Sequence, residues 1–250
     1  KGKIGELAFG YQGWISAAKQ FGMPGSDDEI KQDILKWRAA SPSIEWLWGG
    51  QTLGKASGIL FNYDGMGLPG VSKWDDTPHF FGVEGMAISA MSNPGTRFLV
   101  KCLDGTQSGI SFLKHGDILY CRLPSGRDLK YRSPALRPSP RGGMVLSYWG
   151  WNTNPKNGPT GWIQKDTWGG RLVENIVQAT SRDILRHSTI NLERAGYSVV
   201  MHVYDEIVSE IFEGCGSVED FERIMKILPP WAFGWPIKAD GGWRAKRYRK

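Results

Sequence analysis

Apolar positions along the first part of the chain recur at helical spacing. Residues 4–21 are helical in pattern despite their glycines. Ser26-Asp27-Asp28-Glu29 follows, a capping box with Ser three residues ahead of Glu, and it predicts a helix running through Ile34 and Trp37. Ser41-Pro42 punctuates that helix, and another is expected from Ile44. Over residues 49–94 the periodicity is patchy and glycine and aromatics dominate, which predicts loops and short elements. Residues 98–131 read as strands separated by turns, with 97–103 and 117–123 the plainest runs, and 134–143 as a Pro/Arg/Gly linker. A long helix is expected over 165–195, with Leu172, Val173, Ile176, Val177, Ile184 and Leu185 on its apolar side. Two β-rich runs over 199–210 flank Asp205-Glu206 and predict a hairpin with both carboxylates at its tip; 218–227 is the last expected helix. Helices packed around a small antiparallel sheet give an α+β class.

Composition changes this picture little. The chain has 250 residues, enough for one large domain or two modest ones. Its excess of Trp (12) and Gly (33) suggests flat stacking surfaces and long structured loops. A net charge of +6 favours a polyanionic partner. Cys102, Cys121 and Cys215 lie far apart with no CxxC and no companion His, which argues against a disulfide framework or a zinc site and for a reducing compartment. No run approaches the roughly 20 apolar residues that span a bilayer. The expectation is a cytoplasmic protein with no membrane partner.

Four segments carry candidate chemistry. Asp205 and Glu206 are poor core material but good oxygen ligands for Mg²⁺, which takes a carboxylate or two plus substrate phosphates; a solvated hairpin turn is the competing reading. Lys3, Leu7 and Tyr11 are spaced by four and share one face of a helix, offering a cation, an apolar patch and a ring to a nucleotide, or else an ordinary amphipathic face. Arg171, Glu174 or Asn175, Gln178 and Arg182 form a polar stripe able to donate to minor-groove acceptors and phosphates. A solvated helix face explains that stripe equally well. Leu123-Pro124-Ser125-Gly126-Arg127, followed by Tyr131, is a tight turn whose Arg127 suits a phosphate, or any hairpin turn.

Taken together these residues resemble the C-terminal portion of a family A DNA polymerase of the bacteriophage type. Lys-Ile-Gly-Glu-Leu-Ala-Phe-Gly-Tyr-Gln-Gly (3–13) resembles motif B, the nucleotide-binding helix of the fingers. The Leu123–Arg127 turn with Tyr131, and the run from Gly169 to Asp183, resemble stretches of the phage branch. His202-Val203-Tyr204-Asp205-Glu206 resembles motif C of the palm, and the ending Gly242-Trp243 and Arg247 to Lys250 is similar to the same branch. The motifs stand in the family's order over nearly the full length. The resemblance implies a right-hand polymerase fragment, with fingers over 1–140 and the C-terminal part of the palm over 141–250. It implies two-metal phosphoryl transfer with Mg²⁺, with dNTP and primer-template DNA as partners. Asp205 would ligate metal, with Glu206 beside it in a supporting role. Lys3, Leu7 and Tyr11 would meet the triphosphate, sugar and base of the dNTP, while Arg127, Arg171, Asn175, Gln178 and Arg182 would contact DNA.

Two positions depart from the family pattern. Tyr204 stands where most members carry His, at a primer-terminus contact, and Leu7 where many carry Phe or Tyr. A larger difference is the missing motif A, an Asp-x-Ser-x-x-Glu-like segment that supplies the second metal-binding Asp. The expectation is therefore one piece of a split, heterodimeric polymerase, with a fragment cut from a longer chain at the same place as the bland alternative. Its second chain would carry motif A, the thumb and, with or without it, a 3′–5′ exonuclease domain, and the two Mg²⁺ ions would be shared with that chain's Asp. A non-catalytic DNA-binding or scaffold subunit derived from a polymerase is the alternative from another class. An RNA-polymerising relative ranks lower, because the Gln178 helix and the Leu123–Arg127 turn look like the DNA enzymes.

Overall fold

Ser26 starts its helix as the local sequence dictates. Its hydroxyl accepts the Glu29 N–H at 3.4 Å, and the Glu29 carboxylate accepts the Ser26 N–H at 2.8 Å. Asp27, Asp28 and Glu29 crowd the positive end of the helix dipole. The computed structural model describes residues 2–48, 82–138, 144–155, 158–246 and 248. Most of the loop region expected over 49–94, the end of the 134–143 linker, and Arg247, Arg249 and Lys250 fall outside the described residues.

The chain opens with α1 (Gly2–Phe9), α2 (Ile15–Gln20), α3 (Asp27–Ala40) and α4 (Pro42–Trp48). The single helix expected over 4–21 is thus two. Gln12 takes φ +67°, and a Cβ on Gly13 would stand 1.9 Å from the Ala8 carbonyl oxygen, so the chain turns there and α2 folds back. Ala8, Phe9, Ala18, Met23, Ile30 and Ile34 then close one core, with Trp37 edge-on to Phe9.

Residues 83–92, within the stretch expected to hold loops and short elements, form α5 (Val83–Ser92). Its buried positions Val83, Met86, Ala87 and Ala90 follow helical spacing, and it packs on the strands β1 (Arg97–Lys101), β2 (Gln107–His115), β3 (Ile118–Arg122) and β4 (Asp128–Pro138). With β5 (Met144–Asn152) and β6 (Gly161–Thr167) these form a six-stranded antiparallel meander in sequence order. The sheet is larger than expected. β4 runs through what read as a linker, because Pro134 falls at a register shift between Arg132 and Ala135, where its missing N–H disrupts no ladder bond. Residues 165–167 belong to β6, so the long helix begins later than expected. Val100, Phe112, Leu119, Cys121, Tyr131 and Leu146 are buried on one face of the sheet.

Helix α6 (Gly169–Arg194) follows, then β7 (Ser198–Val203), β8 (Glu206–Glu210) and α7 (Val218–Met225). Leu172, Val173 and Ile176 of α6 are buried as expected, but Val177 is 41% exposed. The apolar side of the helix therefore narrows after its second turn. Leu192, Tyr197 and Ile224 form a second core, flanked by Val199, Ile207 and Phe221. The chain divides into two compact units, Lys1–Ile176 and Val177–Lys250.

Candidate active site

In the first unit the start of α6 is where predicted site residues gather. The Gly170 N–H donates to the Gln12 side-chain oxygen at 2.9 Å, and the Gly169 N–H donates to the Glu84 carboxylate. Two of the helix's orphan donors are thereby satisfied by side chains from elsewhere in the fold. The approach is close. A Cβ on Gly169 would lie 2.1 Å from the Trp48 carbonyl oxygen, and one on Gly170 2.2 Å from that of Tyr11. Burial pushes the Glu84 carboxyl up, opposed by the Gly169 hydrogen bond.

Lys3 and Leu7 lie exposed on α1, while Tyr11 falls in the turn beyond its end. The three-residue helical face expected from their spacing is therefore a two-residue face plus a turn. Burial raises the Tyr11 phenol, and the nearby Glu174 carboxylate raises it further, so the turn brings Tyr11 into the field of α6. Trp48 Nε1 donates to the Gly10 carbonyl at 2.8 Å and holds that turn. Arg38 lies over the rings of both Trp14 and Trp48, at 4.8 and 5.4 Å, and donates to the Gly13 carbonyl at 3.1 Å. Gln12, Glu84, Gly169 and Gly170 were not singled out by sequence reasoning. The Gly-Gly pair at the helix start was the available signal.

Arg171 stacks on Trp168 with its guanidinium 4.7 Å from the ring centre, and donates to the Asp166 carbonyl. Asn175 Nδ2 donates to the Tyr131 hydroxyl at 3.2 Å, joining α6 to β4. Tyr131 is buried edge-on to Tyr148, and burial pushes its phenol well up. Arg127 is exposed at the β3–β4 turn, which Gly126 closes at φ +82° with its N–H on the Leu123 carbonyl. Further along α6, Gln178 and Arg182 are exposed.

In the second unit the hairpin forms as expected. Val203 pairs with Glu206, leaving Tyr204 and Asp205 as a two-residue turn with Tyr204 at φ +55°. Tyr204 is 88% exposed and Asp205 is exposed beside it. Glu206 is the first residue of β8 rather than part of the tip, and its carboxylate accepts the Tyr248 hydroxyl at 3.1 Å. Trp243 stacks on Tyr248, so the end of the chain braces this side of the turn.

The donor chemistry fits part of a Mg²⁺ site. Two neighbouring exposed carboxylates are hard oxygen ligands, and Mg²⁺ takes its remaining positions from water and substrate phosphates. Among the described residues no three His, Cys, Asp or Glu side chains group so as to hold a metal ion. Asp205 and Glu206 could offer two oxygen donors to such an ion. Among the described residues no helix is long and apolar enough to cross a membrane.

No family model and no solved structure matches the chain. It is similar to a DNA polymerase of Bacillus phage SP02, with 36% identity over 245 residues. That similarity covers 96% of this chain and 31% of the phage protein, so the chain spans about a third of the length of the relative it matches.

Proposed function

We propose that this chain is the C-terminal part of a template-directed DNA polymerase of family A. It would supply fingers over 1–140 and part of the palm over 141–250, and add dNTPs to a primer 3′-hydroxyl. The similarity to a phage DNA polymerase along 96% of the chain carries this reading. The exposed Asp205 at a tight hairpin and the gathering of the Tyr11 turn, Glu174 and Arg171 around the start of α6 support it. Mg²⁺ bound at Asp205 would supply charge neutralisation for the triphosphate and polarise the attacking hydroxyl. Lys3 would balance triphosphate charge from its exposed position on α1, Leu7 would line the sugar and Tyr11 would lie against the base pair. Arg171, Asn175, Gln178 and Arg182 would track the primer-template minor groove, with Tyr204 near the primer end and Arg127 on a backbone phosphate. Glu206, held by Tyr248, would steady the turn that carries Asp205.

No Asp-x-Ser-x-x-Glu-like segment occurs within the 250 residues, so in this proposal the second metal-binding aspartate comes from a segment outside them, on this or another polypeptide. Phosphoryl transfer of this kind works by positioning and charge neutralisation, and one aspartate leaves phosphate charge uncompensated. The test is Mg²⁺-dependent primer extension by the chain alone and with a second polypeptide bearing that segment. Synthesis only by the pair, lost with Asp205→Ala, is expected. Robust synthesis by the chain alone would sink the need for that segment. DNA binding without synthesis in any combination would favour a scaffold subunit.

A further inference from the structure

The six-stranded sheet buries one face and opens the other, and the open face has a composition unlike a solvated surface. Directly opposed residues of antiparallel strands share a face. One row therefore runs His115, Ile118, Arg132, Trp149, Gln164 across β2 to β6. A second runs Arg97, Leu113, Tyr120, Lys130 across β1 to β4. Trp151 opposes Trp162 on the same side, their rings edge to face at 6.0 Å. Trp149, Trp151 and Trp162 are 45%, 54% and 55% exposed. Three large rings held in the open by strands of a rigid sheet require an occupant.

Charge identifies its kind. Arg97, Arg122, Lys130, Arg132 and Arg137 project from this face, against the carboxylates of Asp128 and Asp166. Asp166 pairs with Arg137. Asp128 pairs with Arg122 at 2.9 Å, and that bond together with the fields of Arg97 and Lys130 holds its carboxyl below the usual range. Cations outnumber carboxylates five to two, and covering them with an apolar protein surface would strip water from charges it cannot pair. A polyanion with flat apolar rings suits both features. At the end of the first row an open depression of about 390 Å³ is lined by His115, Ile118, Tyr120, Arg132 and the neighbouring Asp117 and Ser133, within the size range of small-ligand pockets.

We propose that this face binds single-stranded DNA, stacking bases on Trp149, Trp151 and Trp162 and taking phosphates on Lys130 and Arg132. Base stacking on exposed rings beside a basic track is the physics of sequence-tolerant single-strand binding. The choice of DNA over RNA rests on the polymerase reading; the binding surface does not. The strand would cross β4 to β6, about 10 Å at roughly 4.8 Å per strand. Such a face would hold a template overhang or a displaced strand.

The experiment is anisotropy of a labelled oligodeoxythymidylate with the full chain. Trp149→Ala, Trp151→Ala and Trp162→Ala should each weaken binding roughly tenfold, and Trp→Phe far less. Lys130→Glu with Arg132→Glu should weaken it too and flatten the salt slope by about 1.4, roughly 0.7 for each phosphate no longer neutralised. This exposed charge pair keeps the test open should a Trp variant fail to fold, with circular dichroism as the fold control. Unchanged affinity in folded Trp and charge variants overturns the proposal. So does equal loss for duplex DNA, or tighter binding of oligouridylate. If the wild-type pair extends primers while these variants bind normally, this proposal fails and the polymerase reading stands. If they abolish single-strand binding and no synthesis is ever found, the reverse holds.

Discussion

The side-chain oxygen of Gln12 accepts the backbone N–H of Gly170 at 2.9 Å, joining two segments 158 residues apart. The turn that ends α1 thereby caps the helix that carries Arg171 and Asn175. Gly170→Ala would push a Cβ to 2.2 Å from the Tyr11 carbonyl oxygen, a backbone atom that moves only if the turn moves. The expected loss is about 1–3 kcal/mol in denaturant unfolding. Gln12→Ala, which removes the acceptor alone, should cost about 1 kcal/mol. If Gly170→Ala is as stable as the parent, the close packing of turn on helix is wrong.

Glu84 accepts the neighbouring N–H of Gly169, yet burial raises its carboxyl above the usual range. The folded state therefore holds this proton more tightly than the unfolded chain. Its contribution to stability is full below the usual carboxylate range and falls as pH rises through the raised folded value. Glu84→Gln keeps an acceptor for Gly169 and has no charge to desolvate. It should be more stable than the parent at pH 7, with the gap closing below about pH 4. Thermal melts of both proteins across that range measure it, and parallel pH profiles would refute it.

Tyr131 and Asn175 join the buried face of the sheet to α6 through one hydrogen bond at 3.2 Å. Tyr131→Phe keeps the ring packed against Tyr148 and leaves the Asn175 amide short of an acceptor. A loss of about 1–2 kcal/mol is expected. Adding Asn175→Ala should then cost less than it does in the parent, because the partner is already gone. Additive losses in the double-mutant cycle would show that the two side chains do not interact.

Local signals were legible in the sequence and tertiary ones were not. The Ser26 capping box and the Asp205 hairpin need only their own residues, and both form, with Glu206 in β8 instead of at the hairpin tip. The extent of the sheet was hidden because β5 is largely apolar on both faces and β6 mixes apolar and polar residues on both. Trp149, Trp151 and Trp162 point outward where a half-buried strand would show polar residues, so the alternation that marks a strand is lost. Helix α5 was not marked out because Gly82, Gly85 and the glycine-rich run before them read as loop composition. Lys3, Leu7 and Tyr11 read as one stripe because nothing local announces that Gln12 adopts a positive φ. Gly169 and Gly170 were visible as glycines, but their reason is the approach of Trp48 and Tyr11 from elsewhere in the chain.

Asp205 and Glu206 are neighbours in sequence with different settings, and their variants should separate. Asp205 is exposed in the turn, whereas Glu206 begins β8 and receives the Tyr248 hydroxyl. If Asp205 ligates metal directly, Asp205→Ala should bring primer extension to background in the presence of the second chain while DNA binding persists. Glu206→Ala should cost about 10–100-fold, the scale of a group that orients a ligand rather than supplies it. Tyr248→Phe frees the Glu206 carboxylate without removing it. It should therefore reproduce part of the Glu206→Ala loss and add little on top of it, since both changes break one interaction. Single-turnover extension rates across rising Mg²⁺ read this out. More metal should partly rescue the Glu206 and Tyr248 variants but not Asp205→Ala. Rescue of Asp205→Ala, or equal losses from Asp205→Ala and Glu206→Ala, would contradict this assignment of roles.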